Sequence, residues 1–159
     1  MSTLYVDTIT EKTLGNGVQI AGHVVQIVNA TYSTQTSSTS TSFVTTGLTA
    51  TITPTSSSNK ILCLYSTAAK NSSSANGSKF TLFRGTVSGT NLGASAWGFG
   101  NFASSAGALY APFSGCVVDN PSTTSAQLYT LAMAANAGIT VTSSFGNTPS
   151  SLVLMEIAQ

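Results

Sequence analysis

The sequence predicts an all-β protein, a β-sandwich or jelly roll at residues 23–159 preceded by a short extended segment at residues 1–22. Three observations predict it. Apolar and threonine side chains alternate strictly through Leu48-Thr49-Ala50-Thr51-Ile52-Thr53, the period of a half-buried strand. Two other runs, Ile61-Leu62-Cys63-Leu64-Tyr65 and Leu152-Val153-Leu154-Met155-Glu156-Ile157, are apolar on both faces until Glu156 and therefore need cover on both sides. No segment of ten or more residues carries a 3.6-residue apolar period, while strand-like runs recur between Ser/Asn/Gly/Pro connections.

Taken in order, the strand candidates begin with Val24-Val25-Gln26-Ile27-Val28. The alternating run at 48–53 follows and stops at Pro54, which has no N–H to give to a ladder. After 61–65 come Phe80-Thr81-Leu82-Phe83, the run 128–133, Ile139-Thr140-Val141-Thr142 and finally 152–157, a set of seven or eight strands. The polar connections 33–42 and 55–59 are expected to be ordered, because serine and threonine hydroxyls satisfy nearby backbone groups; only 71–77 is expected to be mobile. In the N-terminal segment, Leu4-Tyr5-Val6 and Val18-Gln19-Ile20 flank the turn Gly15-Asn16-Gly17. That segment is too small to bury its own apolar side chains, so it needs a host surface.

Composition narrows the function. Of 159 residues only 6% are charged and 42% are hydrophobic, with a net charge of +1, and serine and threonine fill nearly a third of the chain. Such a chain folds rather than remaining disordered. A surface of hydroxyls and amides with so few charges is expected to be covered in part by neighbouring copies. Lys12, Lys60, Lys70, Lys79 and Arg84 are scattered, so no basic patch for nucleic acid is expected. The N-terminus lacks a basic-then-apolar leader and no apolar stretch reaches membrane-spanning length, which predicts synthesis in the cytoplasm and no membrane insertion.

Leu4-Tyr5-Val6-Asp7-Thr8-Ile9 followed by Asn16-Gly17-Val18-Gln19-Ile20-Ala21-Gly22 resembles the opening of bacteriophage tail-fibre and other virion surface-fibre proteins. The stretch from Gln26-Ile27-Val28-Asn29 to Lys60-Ile61-Leu62, and the closing run 151–157, are similar to the β-sandwich heads of such fibres. The resemblance implies a structural role in the virion, a homotrimeric jelly-roll-like head, contact with other virion proteins of tail or capsid, and attachment through the N-terminal segment. Leu4, Tyr5, Val6, Asp7, Ile9, Val18 and Ile20 are then the candidate attachment residues. The chain has room only for a stub of shaft, which leaves a capsid-surface fibre or decorating subunit open beside a tail fibre.

The candidates for chemistry are few. His23 is the single histidine and has no GxSxG elbow or carboxylate near it in sequence; a hinge or interface role is expected. The carboxylates Asp7, Glu11, Asp119 and Glu156 are far apart, and no repeat supports a glycan-cleaving β-helix. No enzyme, cofactor or metal is expected. Cys63 and Cys116 lie in apolar runs and are expected to be buried free thiols, the alternative being a disulfide between two strands. Leu62, Leu64, Leu152 and Leu154 are the expected subunit interface. Arg84 and Glu156 interrupt apolar strands, which leaves two readings: the two pair, within a subunit or across that interface, or both simply reach solvent at strand ends. Trp97-Gly98-Phe99-Gly100-Asn101-Phe102 is the candidate recognition loop, with Trp97, Phe99, Asn101 and Phe102 as candidate contacts to a host receptor or surface glycan. Its plainer reading is packing at the trimer axis.

Overall fold

The computed structural model describes residues 8, 20–72, 77–103, 107–136 and 138–159, and within them eleven strands form two antiparallel sheets packed face to face. The strands are β1 (Val24–Tyr32), β2 (Thr36–Ser38), β3 (Val44–Ile52), β4 (Lys60–Asn71), β5 (Ser78–Arg84) and β6 (Thr90–Asn91). They continue with β7 (Gly100–Phe102), β8 (Leu109–Asp119), β9 (Gln127–Ala135), β10 (Val141–Ser143) and β11 (Ser150–Ile157). The first sheet runs β1-β11-β4-β10-β2, with β8 lying along the other side of β4. The second runs β3-β9-β5-β6, with β7 also on β5. The expected β-sandwich is therefore present. The expected pieces at 4–6 and 18–19, the turn at 15–17 and most of the loop at 71–77 lie outside the described residues.

Side-chain alternation sorts each strand between core and outside. In β3, Leu48, Ala50 and Ile52 are buried while Thr49 and Thr51 are exposed, as the pattern predicts. In β4 and β11 the alternation decides what composition left open. Ile61, Cys63, Tyr65, Leu152 and Leu154 point inward and meet Leu48, Leu82, Tyr129 and Leu131 of the second sheet. Leu152 and Leu154 are fully enclosed in that core, so the expectation that they form a subunit interface is corrected. Each such side chain contributes about 1.5–3 kcal/mol by burial, enough to set which face of a strand turns inward.

One long strand is not legible in the sequence. β8 holds Tyr110, Pro112, Ser114, Cys116 and Val118 on one face and Leu109, Ala111, Phe113, Gly115 and Val117 on the other, an alternation blurred by small residues. Pro112 argues against a central strand, and among the described residues β8 is an edge, paired with β4 alone. The stretch 33–42 is ordered and carries β2, as expected. At Gly47, φ is 92° and an added Cβ would lie 2.5 Å from the Tyr32 ring, so only glycine fits the register shift between Thr45 and Thr49.

Candidate functional site

Of the candidate attachment residues, Leu4, Tyr5, Val6, Asp7, Ile9 and Val18 lie outside the described residues, and Ile20 is exposed. The chain beyond Ile20 is tied to the end of β11: Gly22 N–H donates to the Ala158 carbonyl at 2.8 Å and Ala158 N–H to the His23 carbonyl at 2.9 Å. His23 itself is exposed and engages through its backbone.

The outer face of the first sheet is built from the residues that the inward set leaves over. Register places Ile27, Met155, Leu62 and Val118 side by side across β1, β11, β4 and β8. Asn29, Val153, Leu64 and Cys116 form the next row, and Thr31, Ser151, Ser66 and Ser114 the row after that. The face thus grades from apolar to hydroxyl-bearing, and its apolar end is solvent-facing, with Ile27 59% and Val118 54% exposed. Leu62 and Leu64 lie within it, half-buried. Cys63 and Cys116, one position out of register, fall on opposite faces of adjacent strands. Both are free; Cys63 is buried and Cys116 exposed, which corrects the expectation for Cys116 and excludes a bridge between them. Burial, with a lesser contribution from the nearby Asp119 charge, pushes the Cys63 thiol up to about 12 and makes it inert.

Arg84 and Glu156 do not pair. Arg84 Nη1 donates to both oxygens of Asp119 at 3.0 Å, and the buried Tyr129 hydroxyl donates to Asp119 Oδ2 at 2.7 Å. Arg84 and Tyr129 belong to the second sheet and Asp119 ends β8, so this cluster clamps the edge of one sheet to the other. Glu156 is fully enclosed. Its Oε1 accepts from the Thr55 N–H (2.7 Å), the Thr55 hydroxyl (2.9 Å) and Asn59 Nδ2 (2.7 Å), and its Oε2 from Gln26 Nε2 (2.5 Å). Burial alone would raise this carboxyl's pKa; the bonds from Gln26, Asn59 and Thr55 outweigh it and hold the pKa below the ordinary value. The lone acidic side chain is satisfied by neutral donors, a solution that sequence spacing does not reveal.

The aromatic loop divides. Phe99 packs on Tyr65 with centroids 5.7 Å apart, and Phe102 lies 6.0 Å from both Phe80 and Phe113, so these two expected contacts belong to the molecule's own core. Trp97 and Asn101 face outward, Trp97 54% exposed with Lys79 Nζ 5.5 Å from its ring centroid. The loop is closed by reciprocal bonds between Ala94 and Gly98, and a Cβ at Gly98 would stand 2.2 Å from the Phe80 carbonyl. The glycine there serves a tight turn.

Beside Trp97 the outer face of the second sheet is concave. Phe43 and Phe83 meet edge to face, 5.9 Å between centroids, across β9. There β9 presents Ala132 and Ala134, small side chains that leave room for the rings. With Thr41, Ser42, Lys79 and Ser95 they bound a cavity of about 430 Å³. A smaller one of about 180 Å³, floored by Thr130 and Leu128, adjoins it at Val87. Sequence reasoning missed this site, since Phe43, Phe83 and Ser95 are brought together only by the strand order.

No group of histidine, cysteine, aspartate and glutamate among the described residues is arranged to hold a metal ion. No helix there is long and apolar enough to cross a membrane. The chain matches no protein-family model and no curated protein.

Proposed function

We propose that this chain is a non-enzymatic structural subunit of a bacteriophage virion, a short homotrimeric fibre or surface-decorating protein attached to other virion proteins through residues 1–22. The observation that carries assembly is the in-register apolar face of the first sheet, Ile27-Met155-Leu62-Val118, solvent-facing in a single chain. Among the described residues Lys60 is the only charged side chain bordering that end, so an identical copy brings a single like charge to it and otherwise meets apolar and hydroxyl-bearing side chains. Virion membership and the number three rest on the resemblance of the N-terminal and head segments to phage fibres. The non-enzymatic reading is supported by Asp119 and Glu156, each occupied by structural hydrogen bonds.

Light scattering after gel filtration tests the assembly. The chain should elute at three times its 16.1 kDa mass, and Ile27→Lys should yield a monomer with unchanged circular dichroism. A wild-type chain that stays monomeric at tens of micromolar would refute it. Electron microscopy of the particle then tests attachment and separates few tail copies from many capsid copies. A second reading, a host-receptor or carbohydrate-binding module of a fibre, is favoured by the concave face beside Trp97.

A further inference from the structure

We infer that the concave outer face of the second sheet is a carbohydrate site that seats one or two pyranose rings between the Phe43–Phe83 pair and the Lys79–Trp97 arm. The inference rests on the recognition reading and deepens it by naming the surface and the ligand class. The cavity of about 430 Å³ falls inside the range of small-molecule sites, about 300–1,000 Å³. Its walls are of two kinds. Phe43, half-buried, supplies the aromatic surface against which the C–H face of a sugar ring packs, and Phe83, itself only 6% exposed, backs it edge to face. Thr41, Ser42 and Ser95 supply hydroxyls that both donate and accept, matching the equatorial hydroxyls on the ring's rim.

Lys79 completes the set. One of its N–H groups donates to the Ala96 carbonyl at 3.1 Å while the ammonium lies 5.5 Å from the Trp97 ring centroid. Two N–H groups remain for ligand hydroxyls, and the contact with Trp97 holds the long side chain in place. Trp97 does not itself line the cavity; it stands beside Lys79, which does, and its exposed indole is offered next to the opening. Among the described residues no carboxylate lines the cavity, and the role inferred for it is binding alone. A ligand that is purely apolar would leave the hydroxyls and ammonium without partners, and a strongly ionic one would meet a single cation. A neutral, amphipathic, hydroxyl-rich ring fits both walls. The site lies on the opposite side of the sandwich from the apolar face of the first sheet, so association through that face leaves it open.

Trp97 is the only tryptophan, so its emission reports on the surface beside the opening. The full chain is titrated with the methyl glycosides of glucose, galactose and N-acetylglucosamine, following Trp97 emission and the amide shifts of Ser42 and Ser95. At least one glycoside should give a saturable response in the millimolar range, as expected for a ligand of about a dozen heavy atoms in an open site. Ser95→Tyr, an exposed position whose larger side chain fills the cavity, and Lys79→Met should each weaken binding at least tenfold. Ile27→Lys, on the opposite face, should leave it unchanged. Absence of any saturable response to all three glycosides, or undiminished binding by Ser95→Tyr, overturns the inference. Retention on host cells is measured in parallel: retention that Ser95→Tyr leaves intact overturns this groove as the site while recognition through another surface stands.

Discussion

Glu156 shows how a single buried charge can be held without a counter-ion. Four donors converge on it from Gln26, Thr55 and Asn59, so the carboxylate staples β1 and the connection between β3 and β4 to the last strand. Because its pKa in the folded state lies below the free value of 4.5, its contribution to stability is complete above pH 4.5 and is lost as the pH falls through the lower folded value. Melting temperature measured from pH 7 to pH 3 should therefore drop below pH 4.5, and Glu156→Gln should flatten that part of the profile. The same variant turns an amide towards groups that donate, and should cost about 2 kcal/mol or more in denaturant unfolding. A double-mutant cycle checks the rearranged pairing: Arg84→Met and Asp119→Asn should couple, whereas Arg84→Met and Glu156→Gln should be additive within about 0.5 kcal/mol. The cysteines give a simpler readout. In the Ile27→Lys chain an aromatic disulfide reagent should modify Cys116 and spare Cys63 until denaturant is added, since the Cys63 thiol is enclosed and raised to about 12.

Among the described residues, β4 is flanked on both sides, by β11 and β8, while β8 is held on one side only. Hydrogen exchange should be slowest in β4 and faster at alternate amides of β8, those that face away from β4. Equal protection along both strands in the Ile27→Lys chain would contradict this strand order. The β3 alternation marked its inward positions, and the strand candidates in β4, β5, β9 and β11 were legible as strands from their apolar runs, although in β4 and β11 both faces are apolar and the inward one was not marked. β8 was not, because alanine, glycine and proline occupy positions where a larger apolar side chain would have signalled burial. Short pieces such as β6 and β7 have no signal of their own and exist as additions to β5.

Across the whole molecule, two outer faces of different chemistry are set back to back: an apolar face grading into hydroxyls on the first sheet, and an aromatic, hydroxyl-lined hollow on the second. Such an arrangement suits a subunit that assembles on one side and presents the other. If it does, thermal stability should rise with protein concentration in the wild-type chain and become independent of it in Ile27→Lys, as linkage between folding and association requires. By itself the sequence determined the all-β class, the inward set of β3 and the scarcity of charge, because a period of two and composition are properties of neighbours along the chain. Only the tertiary structure decided that Leu152 and Leu154 line the core, that Arg84 meets Asp119 rather than Glu156, that the two cysteines face apart, and that Phe43 meets Phe83. Each of these depends on which strands are neighbours and which side of each sheet faces the other, and alternation specifies two faces for a strand without saying what lies opposite either one.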